Sequence, residues 1–170
     1  MSTAAVDSPA RPKLEAVAGV TGREFMQALI DGKLPPPSMA ETLSFSLVEV
    51  GDGYAVFEGE TGPHLLNPLG GVHGGWALAL IDSATGCAAH STLPPGSGIA
   101  TIETKVNFTR PIQKDTGRVR TEAGVVVRGR QIITADARVL DAEGRVLAHG
   151  SSTVMVVANR ADSGSTAKPA

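Results

Sequence analysis

Gly74-Gly-Trp-Ala-Leu-Ala-Leu-Ile-Asp82-Ser-Ala-Thr-Gly-Cys-Ala-Ala-His-Ser91 is the stretch that decides the architecture. It is rich in Ala and Leu, carries no long β-branched run and is apolar on nearly all sides. A helix that is apolar all round is a buried one. Pro94-Pro95-Gly96 ends it. The most apolar part, Trp76 to Ala89, is interrupted by Asp82, Ser83 and Gly86 and is too short to span a bilayer. The expectation is therefore a helix at the centre of a core, with one carboxylate inside it.

The rest of the chain must cover that helix. On its N-terminal side, Thr21-Gly-Arg-Glu24 followed by Phe25, Met26, Leu29 and Ile30 predicts a short helix. Thr21 is its N-cap and Glu24 completes a capping box. Thr42 to Val50 and Tyr54 to Glu60 read as strands joined at Gly51-Asp52-Gly53, a hairpin turn. On the C-terminal side the pattern has period two. In Thr101 to Phe108 it sets Ile102, Val106 and Phe108 on one face and Thr101, Glu103, Lys105 and Asn107 on the other. In Val119 to Val127 it sets Val119, Ala123, Val125 and Val127 against Arg118, Arg120 and Glu122. Ile133 to Leu140 and Val146 to Val157 follow, separated by Asp141-Ala-Glu-Gly144. Short turns favour antiparallel pairing. The economical architecture is α+β, one long antiparallel sheet wrapped around the apolar helix. Strand-helix-strand alternation is missing, which argues against a Rossmann-type sheet.

The chain has 170 residues, room for one domain but not for two ordinary cores. We expect that domain over residues 14–158. Residues 1–13 and 159–170 are small, polar or Pro-rich and are expected to be disordered tails, because they cannot bury enough apolar area to offset their ordering entropy. Fifteen basic against 17 acidic residues give a formal charge of -2, which makes no electrostatic case for nucleic acid or an anionic membrane surface. Cys87 is the one cysteine, so no internal disulfide and no cysteine zinc cluster can form. Met1 to Lys13 has Asp7, two prolines and no apolar segment, and does not read as a secretory signal. A cytoplasmic protein is the expectation.

The densest candidate for chemistry is Asn67-Pro-Leu-Gly-Gly-Val-His73-Gly74-Gly75, which runs straight into the buried helix. Paired glycines let a ligand approach the backbone closely. The first amides of a helix lack an intrahelical acceptor and carry partial positive charge, which suits an oxyanion forming from a carbonyl. Asp82 is the second oddity. A carboxylate among apolar residues costs free energy unless it is hydrogen-bonded, paired or reached by water. Held against an apolar wall, it can serve as nucleophile or as general base for water. Gly74 and Asp82 are eight residues apart, or roughly 12 Å along one helix. Two groups acting on one carbonyl must each lie within roughly 3 Å of their target. If both act together, they come from different subunits, and the protein is an obligate oligomer.

His-Gly-Gly entering a buried helix, with Asn67 six residues before His73 and Asp82 nine after it, resembles the hotdog-fold thioesterases, most closely their phenylacetate-pathway (PaaI-type) branch. The resemblance extends over about residues 42–157 and includes Asn107-Phe-Thr-Arg-Pro111, similar to the family's strand ending in an aromatic, Arg and Pro. It implies hydrolysis of an acyl-CoA thioester, with no cofactor. Asp82 matches the catalytic carboxylate, and Gly74 the residue whose N–H polarises the thioester carbonyl. His73 and Asn67 match residues that orient the carbonyl or the attacking water, and Thr101 falls near a family hydroxyl that positions water. The family also implies homodimers with one continuous sheet around two helices, commonly paired again into tetramers.

Each candidate also has a plainer reading. His73 caps nearby backbone, Asn67 before Pro68 shapes a turn, Asp82 is satisfied by a Ser or Thr hydroxyl, and Thr101 is ordinary sheet surface. Gly75 and Trp76 line an acyl pocket or simply pack. Arg110, Arg128 and Arg130 contact CoA phosphates or are solvated. His64, His90 and His149 form no metal-ligand spacing, and Cys87 is a small core residue. Among competing functions, hotdog hydratases carry a His two residues after an Asn-Pro, whereas His73 lies five after Pro68. A non-catalytic acyl-CoA-binding hotdog protein has no need of Asp82.

Overall fold

The computed structural model of the chain describes residues 19–158, so the two expected tails lie outside the described residues. Helix α1 (Gly22–Ile30) begins as its sequence predicts. The Thr21 hydroxyl accepts from the Glu24 N–H at 3.3 Å, and the Glu24 carboxylate accepts from the Thr21 N–H at 2.7 Å. These bonds hold the Glu24 carboxyl below its ordinary range. A second short helix, α2 (Ser38–Thr42), stands where the start of a strand is expected. Ser44 takes left-handed backbone (φ 54°) after it, and only then does β1 (Phe45–Gly51) begin. Strand β2 (Tyr54–Glu60) follows through the expected hairpin, with Gly53 at φ 70° supplying the turn.

The central helix α3 spans Gly74–His90, one residue short of the expected Ser91. Strands β3 (Ser97–Phe108), β4 (Arg118–Arg128), β5 (Ile132–Leu140) and β6 (Val146–Ala158) come after it. All six strands form one antiparallel sheet in the order β1-β2-β4-β5-β6-β3, which curls around α3. This is the hotdog fold expected from the sequence. Leu80, Ile81, Ala84 and Ala88 of α3 are fully buried against Val119 and Ala123 of β4, Ala137 and Val139 of β5, and Ala148 of β6. Burial of each large side chain such as Leu80 or Ile81 contributes about 1.5–3 kcal/mol.

The pairing register shifts at four places, between Leu47 and Glu49, Thr101 and Glu103, Val125 and Val127, and Val139 and Leu140; the bulges at Thr101/Glu103 and Val125/Val127 bear on the expected faces. An extra residue in one strand shifts every later side chain to the other face. Val119, Ala123 and Val125 keep their expected inward side, whereas Val127 is exposed. Ile102 sits at the other bulge and is 58% exposed. Phe108 faces the helix side yet remains 54% exposed, because β3 is the last strand of the sheet.

Helix α1 plugs the C-terminal end of α3. The Gly22 N–H donates to the Leu93 carbonyl at 3.1 Å, and the Phe25 ring lies 5.8 Å from that of His90. The fit permits no side chain at Gly22, since a Cβ there would stand 1.8 Å from the His90 carbonyl oxygen. Gly22→Ala should therefore lift α1 off the core and destabilise the protein by about 2 kcal/mol. Chemical denaturation would read this directly, and an unchanged midpoint would contradict the packing described.

Candidate active site

The site begins in the loop before α3. The Asn67 carboxamide oxygen accepts from the Leu69 N–H at 2.9 Å, while the Asn67 N–H and carbonyl bond to Gly71 and Gly70. Asn67 thus shapes the turn, as its plainer reading has it. The His73 N–H donates to Leu65 and the Val72 N–H to Ile112, both through backbone carbonyls. These bonds deliver His73 as the N-cap of α3. Its Nδ1 accepts from the Gly75 N–H at 2.9 Å. Gly75 is thereby engaged, while the Gly74 N–H has no acceptor among the described residues. It opens onto a cleft of about 410 Å³ lined by His73, Gly74, Phe108, Arg110 and Ile112. The Phe108 ring covers Gly74 so closely that a Cβ there would meet it at 2.8 Å.

Asp82 stands farther along α3 and does not line that cleft. It is half-buried, and its Oδ1 accepts from the Thr104 hydroxyl at 2.7 Å. Its Oδ2 has no hydrogen-bond partner among the described residues. Thr104, not Thr101, is therefore the hydroxyl at the carboxylate. Thr101 is exposed, pairs with Val154 along β3 and makes no hydrogen bond to Asp82. The sequence did carry a signal for Thr104, which shares its alternation with Val106 and Phe108. Behind Thr104 lie Ser152 and Thr85, both buried, at oxygen separations of 3.0 Å and then 2.6 Å. Sequence reasoning missed this pair, since β6 meets α3 only through the fold.

The remaining candidates separate. Trp76 is 3% exposed, its ring packs over Gly59 and its Nε1 donates to the Leu43 carbonyl at 2.7 Å, so it is core and not pocket lining. Arg110 lines the Gly74 cleft, but its guanidinium donates to the Val146 carbonyl at 2.7 Å. Arg128 donates to the Thr92 carbonyl and so ties the end of β4 to the segment after α3. Arg130 is exposed in the β4–β5 turn. Cys87 shares the helix with Asp82, and burial, with the negative charge of Asp82 added, pushes its thiol up to about 12. Burial pushes the His90 imidazole below its ordinary value, partly opposed by a backbone bond from Ser97. Among the described residues no group of three His, Cys, Asp or Glu is arranged to hold a metal, and no helix is long and apolar enough to cross a membrane.

A donor at a helix N-terminus and a carboxylate with one free oxygen are groups of the kind that acyl transfer uses. Comparison with known proteins bears on the family and the fold. Residues 69–148 match the family model described as the thioesterase superfamily. A candidate esterase of Halobacterium salinarum is 36% identical over 95 residues, a match covering 51% of this chain and 61% of that one. This chain thus spans about three fifths of the length of that relative. Among solved structures, a phenylacetic acid degradation-related protein from Ralstonia eutropha superposes with a TM-score of 0.70 at 27% identity, over 77% of this chain and 98% of that one. A variant of the phenylacetic acid degradation protein PaaI from Thermus thermophilus gives 0.63 at 28% identity, over 69% and 97%. A thioesterase from Haemophilus influenzae, at 18% identity, shares the fold with a TM-score of 0.70 over 86% and 97%. Residues 69–148 of the chain thus carry the pattern of the thioesterase superfamily, and PaaI-type proteins share its fold.

Proposed function

We propose that the chain hydrolyses acyl-CoA thioesters to the free acid and CoA, in a site built from two copies of itself. The observation that carries this reading is the pair of unused groups on α3. They are the Gly74 N–H and the Asp82 Oδ2, roughly 12 Å apart on one rigid helix. Neither has a partner among the described residues, and one thioester carbonyl cannot reach both. A second copy with its own α3 alongside brings Gly74 of one subunit to Asp82 of the other.

The fold offers a place for that copy. Strand β3 is an edge strand of 12 residues with no neighbour on its outer side among the described residues, and it exposes Ile102 and Phe108. Long edge strands with apolar side chains are normally covered, because their unpaired N–H and C=O groups template pairing with another chain. Antiparallel pairing of two β3 strands about a two-fold axis would continue the sheet from one subunit into the next. The resulting dimer could pair again through other surfaces.

In such a site the thioester oxygen accepts from the Gly74 N–H, which stabilises the charge that develops as the carbonyl is attacked. His73 contributes by capping Gly75 and so keeping the Gly74 N–H as the available donor. Asp82 acts through Oδ2, either attacking the carbonyl carbon directly or taking a proton from the attacking water. The tetrahedral intermediate collapses with release of CoA thiolate; where Asp82 attacked directly, water then hydrolyses the acyl-Asp82 anhydride and restores the carboxylate, and by either route the free acid leaves.

Two expected outcomes follow from the roles of Asp82 and Cys87. Asp82→Asn keeps the volume and removes the charge, so it should lower turnover by at least about a hundredfold. The assay is thiol release from benzoyl-, acetyl- and palmitoyl-CoA, with circular dichroism and sedimentation expected to match the parent. Turnover near the parent's would overturn the assignment. The same thiol dye tests the microenvironment of α3. With burial and the Asp82 charge pushing its thiol up to about 12, Cys87 should be almost wholly protonated at pH 8. It should stay unlabelled in the native protein and titrate as one equivalent after denaturation. Rapid native labelling would show that α3 is less covered than described.

A further inference from the structure

The three hydroxyls behind Asp82 make a continuous chain. Thr104 Oγ1 donates to Asp82 Oδ1 at 2.7 Å, Ser152 Oγ lies 3.0 Å from Thr104 Oγ1, and Thr85 Oγ1 donates to Ser152 Oγ at 2.6 Å. Thr85 is also 2.7 Å from the Ile81 carbonyl one turn back along α3. Thr85 is completely buried and Ser152 is 2% exposed, so water does not replace these contacts.

Counting protons fixes the direction of the chain. A hydroxyl has one proton to give, and an ionised carboxylate has none. Thr104 must spend its proton on Asp82. The Thr104–Ser152 contact is then filled only by the Ser152 proton, and the Ser152–Thr85 contact only by the Thr85 proton. With Asp82 ionised, a single arrangement gives each of the three contacts from Thr85 to Asp82 a proton, and in it all three hydroxyls point toward Oδ1 and the Ile81 carbonyl receives none from Thr85. Hydrogen bonds aligned in this way polarise one another. The aligned chain holds Oδ1 in place and leaves Oδ2 as the oxygen that meets the substrate.

We propose that Ser152 is a positioning residue that, with Thr85 behind it, orients the Thr104 hydroxyl onto Asp82 Oδ1 and so commits Asp82 Oδ2 to the reaction. This rests on reading Asp82 as the reactive carboxylate. Ser152 touches neither substrate nor the reacting atoms and acts only through Thr104. Removing its hydroxyl frees Thr104 to turn away from Asp82, yet leaves no buried donor stranded, because Thr85 can return its proton to the Ile81 carbonyl. The loss should therefore fall on kcat rather than on the fold.

The test compares Ser152→Ala, the isosteric Thr85→Val, the double variant and Asp82→Asn, as full-length proteins, on whichever of benzoyl-, acetyl- and palmitoyl-CoA the parent turns over fastest. Ser152→Ala should lower kcat about tenfold with KM within about twofold. Thr85→Val should lower kcat less, again without moving KM. The double variant should be no slower than Ser152→Ala alone, since Thr85 works through Ser152. Independent losses that multiply in the double variant, losses confined to KM, or parent-like kcat in both single variants would overturn the chain while leaving Asp82 as the reactive group. A parent-like rate in Asp82→Asn, or a parent inactive on all three thioesters, would overturn the underlying reading instead.

Discussion

Helix α3 is a rigid rod inside a sheet, and its length is the constraint on which everything else depends. Its 17 residues hold the Gly74 N–H at one end and the Asp82 carboxylate about two turns farther on. Both are left with unused hydrogen-bonding capacity among the described residues. Leu80, Ile81, Ala84 and Ala88 lock the rod against β4, β5 and β6, so the spacing between the two groups cannot relax. A site needing both within reach of one carbonyl therefore needs a second rod. The uncovered β3 edge and the divided chemistry are two sides of the same proposed assembly.

The carboxylate inside this core is tolerated because the sheet supplies hydroxyls where it faces α3. Thr104 on β3 and Ser152 on β6 are cross-strand partners, and Thr85 is on the helix above them. Three small polar side chains take the place of apolar packing in that layer. A buried polar network costs least when its members are paired, and here each of the three hydroxyls has a partner, with Asp82 Oδ1 as the final acceptor. Structure and chemistry converge there: the group that ends the chain is the one proposed to react.

The fold was legible because it follows from periodicity. The apolar helix, the capping box at Thr21 and the alternating strands each left a pattern in consecutive residues. The four register shifts and the helix at Ser38–Thr42 were not legible, since one inserted residue in a strand is decided by contacts across the sheet. The motif from Asn67 to Asp82 marked where the candidate site lies but not what each residue contacts there. Asn67 shapes its turn, His73 caps Gly75, and Trp76 belongs to the core. The hydroxyl beside Asp82 is Thr104 and not Thr101, which lies farther along β3 opposite Val154. Ser152 is 70 positions from Asp82 in sequence, and only the pairing of β6 with β3 brings it near.

The central claim is that each catalytic centre draws Gly74 from one chain and Asp82 from the other, and subunit complementation tests it most directly. Gly74→Pro deletes the N–H at the first helical position, where proline is tolerated, and His73 already has the extended backbone (φ -64°, ψ 131°) that precedes a proline. Mixed after reversible unfolding, Gly74→Pro and Asp82→Asn chains should each be inactive alone. In equal mixture they should regain about a quarter of the parent's thioester hydrolysis, because half of the random dimers are mixed and each mixed dimer has one intact site of two. A mixture as inactive as its components, although mixed dimers form, would place both groups in the service of one chain and contradict the account.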